Sequence, residues 1–221
     1  MSERMSPRER VLAALDHREP DLVPFDLGST KVTSIGKEAY LDLVRAMGME
    51  IESLRIANVI GQLPALDPRF LEAVGATCVG IEPRPSSAWH LEISRVDEYY
   101  QYYDEWGVRI QMPVVGGHFF DRMEGPIAEP TMEALERYSW PDPDDPARYA
   151  GLRDEALRIR QKTSYALAGS CALGTDITSR HLWMRGYVVG MMDLIENPAF
   201  IDALLDRCTE IGLRAWDRFL A

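Results

Sequence analysis

Short apolar runs alternate with helical patterns along this chain. Residues 23–28, 76–81 and 164–169 are each apolar and end in small or polar residues, which is typical of buried strands. Between and after these runs, apolar positions recur at the spacing of an amphipathic helix. A strand that leads through a small-residue loop into a helix is the repeating unit of barrel and doubly wound folds. The pattern therefore predicts an α/β protein.

Two helices have clear beginnings in the sequence. Residues 6–9 combine a capping serine, a proline at the first helical position and a glutamate three residues after the cap. The expected buried stripe of this helix is Val11, Leu12 and Leu15. The last helix follows the Asn197-Pro198 pair, which supplies a cap and a first turn. Its expected buried stripe is Ile201, Leu204, Leu205, Cys208, Ile211, Ala215, Trp216, Phe219 and Leu220.

Residues 91–129 interrupt this rhythm with the pattern of an inserted β-hairpin. Aromatic residues crowd residues 98–103, a turn follows at residues 104–107, and residues 108–112 return as a second strand. We expect the aromatic rings to pack the hairpin onto the protein body; lining a pocket is the open alternative. The acidic connector at residues 140–146 joins elements of one domain that spans the whole chain.

Composition narrows the classes of function. The chain has 221 residues, is 46% hydrophobic and carries a net charge of −11. This charge argues against binding to nucleic acid or to an anionic membrane surface. Three scattered cysteines disfavour a disulfide framework and favour a reducing, cytoplasmic compartment. We therefore expect a cytoplasmic protein that acts on a small molecule, with homo-oligomerisation as an open alternative.

The amino-terminal motif resembles the opening of the uroporphyrinogen decarboxylase superfamily. Arg8-Glu9-Arg10 and Glu19-Pro20-Asp21 match that opening, whereas Leu22 stands where the family usually has arginine. Further along the chain, residues 67–81, 104–107 and 140–143 also resemble segments of this superfamily. The same holds for three short motifs, Arg185-Gly186, Met192-Asp193-Leu194 and Asn197-Pro198. The superfamily includes porphyrinogen decarboxylases and methyltransferases that pass methyl groups to or from a corrinoid protein.

The resemblance implies a (β/α)8 TIM barrel, of which this chain would be an incomplete, amino-terminal portion. Such barrels typically need about 250 residues, and only three barrel-type strands can be placed here. We therefore expect one barrel domain at residues 1–221 that is truncated at its carboxyl end, and we expect the fragment alone to be inactive.

Residues at the strand exits are the candidate site. Asp26 is the candidate catalytic group, because it could orient or protonate a substrate. The candidate substrate-binding residues are Ser29, Thr30, Glu82, Gly169, Ser170 and Arg185. Two structural alternatives stay open, namely Asp26 as a loop cap and Arg185 as a tie between helices. The backbone N–H groups near Thr175 and Asp176 could hold an anion, or could simply begin a helix.

The two branches of the superfamily make different demands. The methyltransferase branch implies a zinc ion held by a His-x-Cys pair and a later cysteine, all in the carboxyl-terminal half of the family and therefore beyond Ala221, with a corrinoid on a partner protein. This chain has no His-x-Cys, and we expect no metal site within it. The decarboxylase branch implies early arginines for substrate carboxylates, yet none lies between Arg18 and Arg45. Methyl transfer is therefore favoured, with porphyrin-biosynthetic decarboxylation and a non-catalytic structural or binding role as alternatives.

Overall fold

The computed structural model of the chain describes residues 4–171, 173 and 177–221. The helices are α1 (Pro7–Leu15), α2 (Lys37–Ala46), α3 (Pro68–Ala73), α4 (Met132–Arg137), α5 (Leu152–Lys162), α6 (Ile177–Arg185), α7 (Tyr187–Glu196) and α8 (Pro198–Leu220). The strands are β1 (Ile56–Asn58), β2 (Leu63–Pro64), β3 (Cys78–Ile81), β4 (Ser94–Val96), β5 (Tyr99–Tyr103), β6 (Arg109–Pro113), β7 (Arg122–Glu124) and β8 (Ala166–Gly169).

The chain divides into two compact units. The first comprises residues 1–82 and 151–170, and the second comprises residues 83–150 and 171–221. The strands form an antiparallel β1-β2 pair, a parallel β3-β8 pair and an antiparallel β4-β5-β6-β7 sheet. Within the described residues none of these sheets closes on itself, and the partial (β/α)8 barrel stays a prediction.

The first helix begins where its capping residues predict. The Ser6 hydroxyl accepts a hydrogen bond from the Glu9 N–H, and the Glu9 carboxylate accepts one from the Ser6 N–H at 2.7 Å. This reciprocal capping box satisfies two N–H groups that have no partner inside the helix. The predicted start of α1 is therefore confirmed.

A buried arginine, and not the predicted leucines, anchors α1. The Arg10 guanidinium binds the Asp21 carboxylate through two hydrogen bonds of 2.7 and 3.1 Å. The helix buries Arg10 and Ala13, whereas Leu12 and Leu15 are exposed, so the predicted buried stripe is wrong at both leucines. The fork-shaped ion pair needs Arg10 on the side of the helix that faces the following loop, and this requirement sets the rotation of the helix.

Arg8 ties α1 to the carboxyl end of α5. Its guanidinium donates to the carbonyl oxygens of Arg160, Thr163 and Tyr165 at distances of 2.9–3.0 Å. Carbonyl groups at a helix end have no partner within the helix, and a nearby arginine can satisfy them. Both arginines of the Arg-Glu-Arg motif therefore have structural roles.

Two of the three predicted strands are present. They are β3 and β8, each shorter than predicted. Residues 23–28 form no strand, so that prediction is wrong; Val23 and Phe25 are exposed there. An apolar run has the composition of a strand, but it becomes one only when a neighbour completes a ladder of backbone hydrogen bonds.

A small core with two aromatic rings packs α2 against α3 in the first unit. Tyr40, Val44 and Phe70 are buried, and the rings of Tyr40 and Phe70 meet edge to face with centroids 5.0 Å apart. The Tyr40 hydroxyl accepts a hydrogen bond from the Asp67 N–H at 3.1 Å. Asp67 also caps α3, so this core positions the helix that leads into β3.

The predicted hairpin is confirmed as β5 and β6, within a four-stranded sheet of the second unit. The Asp104 carboxylate closes its turn by accepting hydrogen bonds from the N–H groups of Trp106 and Val108, both at 2.9 Å. Trp106, Val108 and Ile110 are buried. Aromatic and β-branched side chains thus pack this sheet, as expected.

The connector at residues 140–146 is held by a carboxylate. Asp145 accepts hydrogen bonds from the Ser87 N–H at 2.7 Å and from the hydroxyls of Ser86 and Ser87 at 2.9 and 2.8 Å. The backbone N–H groups of Ser87 and Ala147, followed by the two hydroxyls, hold the pKa of Asp145 far below its ordinary value. The connector therefore has a structural function.

The helices of the second unit follow one another with a sharp break. Gly186, at a φ of 87°, separates α6 from α7. Among the described residues no helix, α8 included, is both long and apolar enough to cross a membrane. The predicted α8 stripe is confirmed at buried Ile201, Leu204, Cys208, Ile211 and Ala215, but Leu220 is exposed.

Candidate functional site

Residues 25–29 of the first unit run beside β3 in the same direction. The Thr77 N–H and hydroxyl donate to the Phe25 carbonyl oxygen at 2.7 and 2.9 Å. Four residues further along, the backbone of Ser29 lies against Gly80. Both segments therefore run in the same direction, from Phe25 to Ser29 and from Thr77 to Gly80. Residues 25–29 thus lie beside β3 as a parallel strand would, although they do not form one.

On its other side, β3 pairs with β8. Their register places Ile81 opposite Gly169, and the Ser170 N–H extends the ladder by donating to the Ile81 carbonyl oxygen at 3.1 Å. Glu82 follows directly after Ile81. The structure thus brings Ser29, Glu82, Gly169 and Ser170 to one end of the parallel pair, which we call the strand-exit edge.

Ser29 can lie this close to β3 because residue 80 is a glycine and has no side chain. A Cβ atom on Gly80 would lie 1.8 Å from the Ser29 carbonyl oxygen and 2.7 Å from its carbonyl carbon. Both are backbone atoms that cannot rotate away, so only glycine fits at this position. Gly80 therefore positions Ser29 at the strand-exit edge.

Asp26 is bound to Ser29. The Ser29 hydroxyl donates to the Asp26 carboxylate at 2.5 Å, and the Ser29 N–H donates to the other carboxylate oxygen at 3.3 Å. Ser29 is buried, and Asp26 is half-buried. The carboxylate therefore acts as the loop cap that the sequence left open, and it orients the Ser29 hydroxyl.

Thr30 belongs to a local turn. Its N–H donates to the Thr33 hydroxyl at 3.1 Å, and the two hydroxyl oxygens are also 3.1 Å apart. The Gly28 N–H closes the same turn by donating to the Thr33 carbonyl oxygen. The Thr30 hydroxyl is therefore engaged within this turn.

Cys78 lies beside this cluster, in the first position of β3. Its thiol is 3.8 Å from the Thr77 hydroxyl. Burial raises the pKa of Cys78 most, contact with Thr77 lowers it in part, and the charge of Asp26 raises it again. A thiol with a raised pKa stays protonated at neutral pH, so Cys78 is not poised as a nucleophile.

Arg185 belongs to the second unit and is engaged there. Its guanidinium donates to the Asp193 carboxylate and to the Ile127 carbonyl oxygen, both at 2.6 Å. Both side chains of the ion pair are only 3% exposed. This is the geometry of a tie between helices, the alternative that the sequence left open, and we leave Arg185 out of the proposed substrate contacts.

Two further sequence predictions concern an anion site and a metal site. Thr175 and Asp176, the candidate anion site, lie outside the described residues. Within residues 4–171, 173 and 177–221, no three His, Cys, Asp or Glu side chains are close enough together to hold a metal ion. The resemblance places the zinc ligands in the carboxyl-terminal half of the family, beyond Ala221, and no step proposed below passes through a metal.

A surface cavity of about 340 Å³ lies in the second unit, among residues for which the sequence showed no signal. Ile127, Glu129, Arg137 and Tyr138 are part of its lining. Burial raises the pKa of the Tyr138 hydroxyl. The cavity lies between a loop and α4, and a local sequence pattern does not predict which loop packs beside which helix.

Polar loops at the carboxyl edge of parallel strands are the usual place of ligand binding in α/β proteins. Comparisons with protein-family models, curated proteins and solved structures find no match for this chain. Kinship with the uroporphyrinogen decarboxylase superfamily therefore stays a prediction, carried by the motif residues quoted above.

Proposed function

We propose that this chain is the amino-terminal part of a cytoplasmic enzyme of the uroporphyrinogen decarboxylase superfamily. Its activity would be the transfer of a methyl group from a small methylated or methoxylated compound to a corrinoid protein. The observation that carries the proposal is the strand-exit edge. There, the polar residues Ser29, Glu82 and Ser170 lie at the ends of three neighbouring chain segments, namely residues 25–29, β3 and β8.

The residues of this edge have distinct proposed roles. Asp26 holds the Ser29 hydroxyl in one orientation through a short hydrogen bond. Ser29 and Ser170 bind the polar atoms of the substrate, and the exposed Glu82 carboxyl holds or passes a proton. Ser170 is half-buried and held by its backbone N–H, which leaves its hydroxyl for the substrate.

Methyl transfer from a methoxyl group breaks a carbon–oxygen bond. The leaving oxygen keeps the bonding electron pair and takes up one proton, so a carboxyl or hydroxyl must supply that proton nearby. The corrinoid on its partner protein supplies the methyl acceptor when it is bound. In this proposal the chain positions the substrate and supplies a proton to the leaving oxygen. The Asp26–Ser29 pair would position the substrate, and Glu82 would supply the proton.

The charges of the edge favour methyl transfer over decarboxylation. A porphyrinogen carries several carboxylates, whose recognition calls for arginines. Residues 25–30 offer one carboxylate and two hydroxyls instead, and no arginine lies between Arg18 and Arg45. A small, weakly charged substrate fits this edge better than a polyanion.

The activity can be tested on the protein expressed from its complete reading frame. Cob(I)alamin and a panel of methoxylated and methylated compounds are supplied, and transfer is followed by the cobalamin spectrum and by the mass of the demethylated product. We expect methyl transfer with at least one compound. Formation of coproporphyrinogen from uroporphyrinogen in a parallel assay, or inactivity in both assays, would overturn the proposal.

Variants of the edge test the assigned roles. We expect Asp26→Asn to lower kcat/KM roughly 100-fold, because the Ser29 hydroxyl loses its charged acceptor and its orientation. Glu82→Gln should reduce kcat more than it raises KM, because it removes a proton-carrying group. Steady-state kinetics measure both effects, and thermal unfolding shows whether the variants are folded.

Glu72→Gln is the matched control for these variants. Glu72 is an exposed carboxylate of α3 in the same unit, and its neutralisation should leave kcat/KM unchanged. Equal loss of activity in Glu72→Gln and Glu82→Gln would contradict a specific role of the edge.

A further inference from the structure

The surface cavity of the second unit, which we call the α4 cavity, has one wall that is held by α6. This wall is the loop after β7. The Ile127 N–H donates to the Met184 carbonyl oxygen at 3.0 Å, and the Ile127 carbonyl oxygen accepts a hydrogen bond from Arg185 at 2.6 Å. A Cβ on Gly125 would lie 2.3 Å from the same Met184 oxygen, so the loop packs directly on the end of α6. The buried Arg185–Asp193 ion pair therefore also holds this wall in place.

The opposite wall consists of α4 and Tyr138. The Tyr138 hydroxyl donates to the Trp106 carbonyl oxygen, and its ring meets the Trp140 ring edge to face with centroids 4.9 Å apart. The two walls approach each other at Gly107, where a Cβ would lie 3.1 Å from the Tyr138 hydroxyl and 3.6 Å from Pro126. Walls that are fixed in this way keep the cavity in shape without a ligand, as in most small-molecule sites.

Two side chains of opposite charge line the α4 cavity. They are Glu129, in the loop after β7, and Arg137, in the last turn of α4. Both are exposed. Within the part of the chain that the structure describes, they form no ion pair with each other and no hydrogen bond or ion pair with another residue. Both charges can therefore be used to bind a ligand.

The lining defines the chemistry of a matching ligand. A guanidinium binds a carboxylate through two parallel hydrogen bonds, and a carboxylate binds an ammonium group. A ligand with only one charge would leave the other lining charge unmatched. The volume of about 340 Å³ is at the lower end of the range for small-molecule sites. Apart from Tyr138, the remaining lining residues are apolar: Pro126, Ile127, Ala128 and Ala134.

We propose that the α4 cavity binds a small zwitterion, an amino acid whose ammonium and carboxylate groups are joined by a short hydrocarbon chain. Arg137 binds the carboxylate, Glu129 binds the ammonium group, and the apolar lining contacts the hydrocarbon chain. The net charge of −11 repels simple anions, whereas a zwitterion has no net charge to be repelled. This inference is independent of the methyl-transfer proposal, since it uses only residues of the second unit.

Ligand-observed NMR titration of the full chain with glycine, β-alanine and γ-aminobutyrate tests the site. These probes carry the same two charges on hydrocarbon chains of increasing length. We expect saturable binding of at least one of them. Butyrate and butylammonium, each with only one of the two charges, should bind at least roughly tenfold more weakly than that zwitterion.

Charge variants test the assigned contacts. Arg137→Gln and Glu129→Gln should each weaken binding of the zwitterion roughly tenfold or more, because each removes one charged partner. Both side chains are exposed, so the circular dichroism melting curve should change little. The matched control is Glu136→Gln, which neutralises an exposed carboxylate of α4 that does not line the cavity and should leave binding unchanged.

A variant that fills the cavity distinguishes a binding site from two surface charges. Ala134→Phe places a ring in the α4 cavity and keeps both Glu129 and Arg137, and it should weaken zwitterion binding at least roughly tenfold. Circular dichroism shows whether this variant is folded.

Four results would overturn the proposal. They are no binding of any zwitterion to the wild-type chain, equal binding of butyrate or butylammonium, undiminished binding in folded Ala134→Phe, and equal losses in Glu129→Gln and Glu136→Gln.

Discussion

Replacing Gly80 with alanine is expected to lower the free energy of unfolding by about 3 kcal/mol or more. The new Cβ would lie 1.8 Å from the Ser29 carbonyl oxygen, so either β3 or residues 25–29 must move. Alanine has a higher strand propensity than glycine, so a change in strand propensity alone would not lower the stability of Gly80→Ala. Urea denaturation followed by circular dichroism measures the change.

Gly36→Ala is the control for this substitution. Gly36 has an ordinary φ of −63°, and a Cβ there would meet nothing within 4 Å. At this helix-capping position the cost should stay below about 1 kcal/mol. Similar losses in the two variants would show that Ser29 does not approach Gly80 as closely as described.

Gly80→Ala also has a consequence for activity. Displacement of Ser29 disrupts its hydrogen bonds with Asp26 and therefore the strand-exit edge. In conditions where the variant remains folded, we expect kcat/KM to fall at least as far as in Asp26→Asn. Full activity in a folded Gly80→Ala protein would contradict the proposed role of Ser29.

Arg185→Met is expected to lower the free energy of unfolding by about 3–5 kcal/mol, because it leaves the buried Asp193 carboxylate without its charged partner. Both side chains are 3% exposed, and their atoms are 2.6 Å apart. The Ile127 carbonyl oxygen also loses its donor. Urea denaturation measures the effect.

Arg45→Met provides the matched comparison. Arg45 pairs with Asp42 on the surface of α2, where the two side chains are 77% and 75% exposed. Solvent screens such a pair, and its loss should cost no more than about 1 kcal/mol. If Arg185→Met were as mild and instead raised KM for substrate, Arg185 would be a binding residue and not a tie between helices.

The pH dependence of Arg185→Met follows from the pKa of Asp193. Burial alone raises this pKa, but hydrogen bonds from Arg185 and Asn197 outweigh burial and lower it overall. A lowered pKa stabilises the fold above the ordinary value of about 3.9, and this contribution is lost as pH falls through the folded value. The stability difference between wild type and variant should therefore be largest near neutral pH and shrink in acid. A difference independent of pH would contradict the ion pair.

Signals within a few residues of one another predicted their parts of the structure well. The capping box of Ser6 and Glu9 and the hairpin turn at Asp104 are confirmed, and the long stripe of α8 is confirmed at its buried positions but not at Leu220. Each depends on groups that meet within one or two turns of backbone. The Asp26–Ser29 pair is of the same kind, and loop capping by Asp26 was among the alternatives that the sequence left open.

Predictions that depended on distant neighbours succeeded less often. Periodicity located α1 but not its buried side, because the Arg10–Asp21 pair sets the rotation of that helix. For α7, nothing local showed that Gly190 and Asp193 would face inward. A hydrophobic pattern identifies an amphipathic element, but the partner that covers it depends on the rest of the chain.

The sequence by itself determined the helix starts, the hairpin and which residues follow the predicted strands. Only the tertiary structure decided three features: Glu82 and Ser170 lie at one edge, the backbone of Ser29 packs directly against Gly80, and Arg185 forms an ion pair with Asp193. The physical reason is sequence separation. Local hydrogen bonds form among residues that are already close, whereas these contacts join residues about 50 to 90 positions apart or depend on which side of a helix is covered.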